Sequence, residues 1–306
     1  MAQTRRQFVH AGIAAAAAST AHAAKRKFTI AFVPGSIGIK VDQGRAIELA
    51  AKHGFESVEP YGRQLLAHGV SKYVDAREKA GLQWAASSLT ASLRAEEADY
   101  QSGLKELPAI AKALQQAGVQ RVGTAISSAS DTLNYLDNFR QHKRRLREVG
   151  GVLADQGLRL GLEYLGTKHI WTSRRHAFVH SLAECMELIS EAGQKNIGVV
   201  LDSWHWWTAR DSVEAIRALT NDQVVAGDLN DAPGGIEIDD QKDYQRELPL
   251  TTGVIDAKAF LEALVLIGFD GPIRCEPFNK KLDDMDDDPA AAATIKSMKK
   301  AFAMVG

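Results

Sequence analysis

The run Gln156-Gly157-Leu158-Arg159-Leu160-Gly161-Leu162-Glu163 closes a helical pattern with a glycine, continues as a short apolar segment and ends on an acid. Glycine accepts the left-handed conformation that terminates a helix, so Gly157 marks the step from helix to strand. The same step recurs at His53-Gly54-Phe55, Ala80-Gly81-Leu82, Ala117-Gly118-Val119 and Ile267-Gly268-Phe269. Working outward, short apolar runs predict strands at Phe28–Val33, Phe55–Glu59, Gln83–Ser87, Arg121–Ala125, Arg159–Glu163, Gly198–Asp202, Val224–Leu229 and Ile273–Glu276. Amphipathic stretches between them predict helices at Asp42–His53, Leu65–Ala80, Gln101–Ala117, Thr132–Gln156, Phe178–Glu191, Ser212–Leu219 and Ala257–Leu266, with a last one at Pro289–Met304. Strand and helix in regular alternation imply parallel β/α units. Eight units in this length favour an α/β fold of a single (β/α)8 TIM barrel over an open, doubly wound sheet. No G-x-G-x-x-G follows the first strand and no G-x-x-x-x-G-K occurs, so nucleotide binding has little support.

Composition narrows the class further. Of 306 residues 45% are hydrophobic, enough for one large core, and 37 Lys and Arg face 38 Asp and Glu. Charges that nearly cancel give no field favouring nucleic acid or an anionic membrane surface. Two cysteines, Cys185 and Cys275, exclude a disulfide scaffold; their apolar settings read as buried thiols. The first 24 residues are a targeting segment: Arg5-Arg6, then an alanine-rich run from Ala11 to Ala18, then Ala21-His22-Ala23 as a cleavage site. This pattern resembles a twin-arginine export signal and implies a periplasmic or extracytoplasmic destination. The expected domains are therefore a signal peptide over 1–24 and the barrel over 25–306. No later segment is apolar and long enough for membrane insertion. A homo-oligomer is left open.

Three predicted strands finish on an acid: Glu163, Asp202 and Glu276. A carboxylate at the end of a buried strand is costly unless paired or bound to a metal. In a barrel all strand C-termini meet at one mouth, where converging carboxylates repel unless a cation lies among them. A divalent ion is the simplest resolution. The competing reading is that each acid pairs with a nearby Arg or Lys, or caps the following helix. The long stretch Asp231–Gly253 is expected to be a functional loop. Trp204, Trp206 and Trp207 cluster beside His205, where aromatic faces suit sugar rings, although plain packing explains some of them. Lys168 and His169 follow Glu163 in one loop and are candidates for substrate contact. His176 and His180 read as surface residues at a helix start. Glu59 either joins the mouth or caps a helix.

Leu162–Gly166, Leu201-Asp202-x-x-His205, Asn230-Asp231-Ala232-Pro233, Arg246-Glu247-Leu248-Pro249 and Glu276-Pro277-Phe278 fall in order at strand ends or in their loops. Together they resemble the sugar phosphate isomerase/epimerase family, the xylose isomerase-like barrels, from about Lys25 to the C-terminus. The resemblance implies that Glu163, Asp202 and Glu276 are metal ligands, that His205 lines the sugar site, and that Arg246 contacts substrate oxygens. It further implies that Glu163 and Glu276 exchange a proton alpha to a carbonyl on opposite faces of the substrate. The family commonly places a histidine ligand where this chain has Asp228. Asp228 can still ligate, and an all-oxygen set suits Mn, Mg or a similar divalent metal ion better than Zn. The family also often has a glycine directly after the proline, where this chain has Leu250. The expected activity is a metal-dependent isomerase or epimerase of a small-molecule carbohydrate, keto-sugar or cyclitol. The alternatives are a lyase or hydrolase of a keto-glycoside and a non-catalytic exported carbohydrate-binding barrel.

Overall fold

The computed structural model describes residues 25–306. The expected export segment, residues 1–24, falls outside the described residues. Eight parallel strands form the centre: β1 Thr29–Phe32, β2 Ser57–Val58, β3 in two pieces at Gln83–Trp84 and Ser87–Ser88, β4 Arg121–Ala125, β5 Arg159–Glu163, β6 Ile197–Asp202, β7 Val224–Asp228 and β8 Pro272–Arg274. The first piece of β3 pairs with β2 and the second with β4. Since β1 pairs with β8 and the rest follow in sequence order, the sheet returns to its own starting strand and closes. This is the expected (β/α)8 barrel.

Local chemistry explains the alternation. Gly54, Gly81, Gly118, Gly157 and Gly268 all have φ between +67° and +80°, so each junction glycine takes the backbone that side chains disfavour. Helix starts are capped by Asp42, Asn134, Ser181, Ser212 and Asp256, each accepting a backbone N–H from its first turn. The last helix, Asp287–Phe302, carries Asp287 and Asp288 in its first turn, and Phe302 meets Phe28 of the barrel floor edge-on at 5.1 Å.

Several expectations change. The helix read as Leu65–Ala80 is two, Gly62–His68 and Val70–Lys79, because Gly69 at φ 94° and ψ 127° breaks it. The helix read from Phe178 begins at Leu182, after the Ser181 cap. His176 lies in a small antiparallel ladder with Ser130 rather than on a helix start. A short helix, Ser203–Thr208, follows β6 directly. Cys185 and Cys275 are buried and unbridged.

Strand register brings the charged ends together. Asp228 of β7 lies opposite Asp202 of β6 on one side and Arg274 of β8 on the other. Neighbours in register on parallel strands share a face. Glu276, two residues beyond Arg274, continues the same alternation at the strand's end.

Candidate active site

Ligand oxygens of Glu163, Asp202, Asp228 and Glu276 all lie within 4.8 Å of one another at the C-terminal mouth. The strand-end acids therefore meet. They line or underlie a cavity of about 350 Å³ whose wall includes Glu163, His205, Asp228, Arg246, Arg274 and Glu276. Glu59 is in the wall too, accepting the Ser88 hydroxyl at 2.8 Å.

Two guanidinium groups share the acids. Arg274 donates from Nε and Nη2 to both oxygens of Asp228, at 2.6 and 2.9 Å, and its Nη2 lies 3.2 Å from Glu276 Oε1. Arg246 donates to Asp202 Oδ2 at 2.8 Å and to Asp243 Oδ1 at 2.7 Å. Asp202 also caps the short helix through Trp204 N and accepts Asn230 Nδ2, both at Oδ1. For Asp202 and Asp228 the pairing reading thus holds alongside convergence.

Even so, positive charge falls short. Four carboxylates share two guanidinium groups, and Arg246 is divided further with Asp243. Glu163 Oε1 is buried with no hydrogen-bond partner among the described residues. Burial, then the charges of Asp228 and Glu276, pushes the Glu163 carboxyl well above the usual range. Burial raises Glu276 to about 7 against the pull of Arg274, and raises Asp202 to about 6 against that of Arg246. An orphaned acceptor among oxygens this close, with negative charge in excess, fits a divalent cation. Those four acids are the donor set that would hold it.

His205 is fully enclosed. Burial, then Arg246, lowers its pKa to about 3, so the ring is neutral. The Gly166 N–H faces Nδ1 at 3.1 Å and Arg246 Nη2 faces Nε2 at 3.2 Å, so both ring nitrogens meet donors, with Asp243, Asp202 and Glu163 at 3.6 to 3.9 Å from Nε2. A β-carbon on Gly166 would fall on the His205 carbonyl oxygen and 2.8 Å from Ala209 Cβ. Gly166→Ala is accordingly expected to lower the melting temperature by roughly 5 °C through overpacking. An unchanged melt would reject this close approach.

Not every expected residue reaches the cavity. Trp204 is fully buried, gives its Nε1–H to Thr167 at 2.7 Å, and offers its ring to Arg246 at 5.4 Å. It braces Arg246, because the helix starting at Ser203 turns it inward. Trp206 packs on Phe260. Lys168 binds Asp239 at 2.8 Å, tying down the long loop, and His169 packs edge-on against Tyr244. None of these four lines the cavity.

Other site residues were given no individual role from sequence, although Asn230, Asp231 and Phe278 lie in the quoted motifs and Leu250 was noted as a departure. Asn230 accepts Glu276 N–H at Oδ1 and so links two strand ends. Asp231 accepts four backbone N–H groups, from Ala232, Thr252, Gly253 and Ile255, and shapes the loop. Asp243 orients Arg246. Phe278 stacks on that guanidinium at 4.8 Å. Leu250 stands at φ +62°, the left-handed backbone that the family's glycine would take without strain.

Comparison with known proteins agrees with this architecture. A family model described as xylose isomerase-like TIM barrel matches residues 47–301. An inosose isomerase of Bacillus velezensis is 21% identical over 266 residues, 83% of this chain and 88% of that one. A xylose isomerase domain protein from Alicyclobacillus acidocaldarius superposes with a TM-score of 0.81 at 27% identity, covering 91% of this chain and 99% of the other. The IolI protein, crystallised with a zinc atom, gives a TM-score of 0.76 at 18% identity over 91% and 99%.

Proposed function

The chain belongs to the xylose isomerase-like TIM barrel family, and we propose that it is a divalent-metal-dependent isomerase or epimerase of a sugar, keto-sugar or cyclitol. The observation that carries this reading is the four-acid cluster in the cavity wall with Glu163 Oε1 left without a partner. The zinc of the IolI structure and the activity of the inosose isomerase are consistent with it.

A divalent ion held by Glu163, Asp202, Glu276 and Asp228 would supply Lewis-acid polarisation of a substrate carbonyl. The protein's own groups do the rest. Glu163 and Glu276 stand at the ends of β5 and β8, three strands apart, and both line the cavity wall. One carboxylate takes the proton alpha to the carbonyl, and the other returns a proton to the opposite face. Arg246, clamped by Asp202 and Asp243, presents fixed positive charge to substrate oxygens. Neutral His205 lines the same wall beside Arg246. Asp231 and the Lys168–Asp239 pair fix the path of the long loop.

The twin-arginine pattern at the N-terminus supports a location outside the cytoplasm. Phosphorylated sugars are scarce there, so a free or oxidised sugar is the expected substrate. The test is a panel of ketoses, keto-glycosides and inososes incubated in D2O with Mn2+ or Mg2+ and followed by NMR. Deuterium entering at a single carbon alpha to the carbonyl is expected for at least one member. Stoichiometric metal with neither exchange nor turnover across the panel would sink the isomerase reading.

A further inference from the structure

Arg274 was not read from the sequence as part of the site, yet its guanidinium stands among three of the four candidate ligands. It occupies both oxygens of Asp228, lies 3.2 Å from Glu276 Oε1, and 4.0 Å from Glu163 Oε2. The pairing is built into the barrel: Asp228 and Arg274 sit opposite each other in the β7–β8 register, and Asp228 is 1% exposed. A planar fork gripping a carboxylate at two points is the strongest form of such a pair. Glu163 is the least committed acid, its Oε1 having no partner among the described residues, whereas Asp202 gives Oδ2 to Arg246 and Oδ1 to the Trp204 N–H and Asn230 Nδ2.

We propose that Arg274 is a positioning residue that competes with the divalent ion for Asp228, leaving Glu163, Asp202 and Glu276 as the working ligands of a weak, exchangeable metal site. This rests on the reading that the cluster takes a divalent ion. Two cations drawn to one buried carboxylate repel each other, and the covalently tethered one is always present. The consequence is a barrel that holds its acids together without metal and binds the ion more weakly than it would with Asp228 free. The aspartate at 228 and the arginine at 274 then act as one feature of this chain, an internal cation with its counter-ion.

The measurement is Mn2+ binding to the purified protein by equilibrium dialysis, with circular dichroism and thermal melts to certify folding. Arg274→Met frees Asp228 and is expected to tighten Mn2+ binding at least tenfold. Arg274→Gln, which keeps a donor for Asp228 but not the charge, is expected to tighten it in the same direction and stands in if the Met variant does not fold. The double variant Arg274→Met with Asp228→Asn should return to within about threefold of wild type, since the gain is routed through Asp228. Unchanged or weaker binding in both Arg274 variants overturns the proposal, as does a double variant that keeps the whole gain. The underlying metal reading is scored separately by Glu163→Gln in the wild-type background, which should abolish binding. If Mn2+ binds to no variant at all, the metal reading falls and this proposal with it.

Discussion

Glu163→Gln is expected to lower kcat at least about 10³-fold while leaving the fold intact, because it removes a proton-transfer group and a ligand at once. The substitution is isosteric and deletes one negative charge from a crowded set, so it should stabilise the metal-free protein. The direction follows from the raised carboxyls. Glu276 moves from 4.5 to about 7, so over that interval the folded protein holds a proton that the unfolded chain has released. The stability this brings is complete below pH 4.5 and is lost as pH rises through 7. Glu163 is raised in the same direction, by burial and then by the charges of Asp228 and Glu276. With EDTA present, wild type should therefore melt progressively lower from pH 5 to pH 8. Glu163→Gln should melt higher than wild type at pH 8 by on the order of 5 °C, with the gap closing toward pH 4.5. Calorimetry at the two pH values checks this. Equal melts at pH 8 would mean that the acids do not repel one another, and near-wild-type turnover would remove Glu163 from the chemistry.

The strand-end acids were legible because a charge at the end of an apolar run is locally anomalous, and closure of the barrel brings such ends together. The junction glycines were legible for the same reason, each conformational demand being met within three residues. Arg274 was missed although a signal existed: in Pro272-Ile273-Arg274-Cys275-Glu276 it alternates with Glu276, and strand geometry puts both on one face. Asn230, Asp231 and Asp243 were harder. Their partners are Glu276 N, Thr252 N and Arg246, and which backbone groups a loop side chain reaches is set by the loop's path rather than by sequence spacing. The tryptophans misled because an aromatic beside a motif histidine serves a sugar ring and a buried cation equally well. The one-turn phase of Ser203–Thr208 decided for the cation.

Arg246→Met should cost about 3–5 kcal/mol of stability, the cost of leaving buried charges without their partner. Burial alone opposes the Arg246 charge, but Asp202, Asp243 and Glu276 overcome it and hold the group protonated. The side chain is 1% exposed, donates through Nε, Nη1 and Nη2, and lies between the rings of Trp204 and Phe278. Methionine keeps much of the volume and the contact with the rings, so the loss reports on charge and hydrogen bonds rather than on a cavity. Asp202, fully buried, and Asp243 would be left facing each other and the remaining acids. The expected fall in melting temperature is about 10 °C at neutral pH in metal-free protein. It should shrink in acid, where Asp202, raised to about 6, takes up a proton and no longer needs the guanidinium. Arg246→Lys should fall between the two, since one ammonium can serve Asp202 or Asp243 but not both in the same geometry. The contrast is Arg63→Met, which breaks the exposed pair with Glu106 at 3.0 Å and should change stability by less than about 1 kcal/mol. If Arg246→Met melts as close to wild type as Arg63→Met does, the guanidinium is not what holds the acids of β6 and the long loop together.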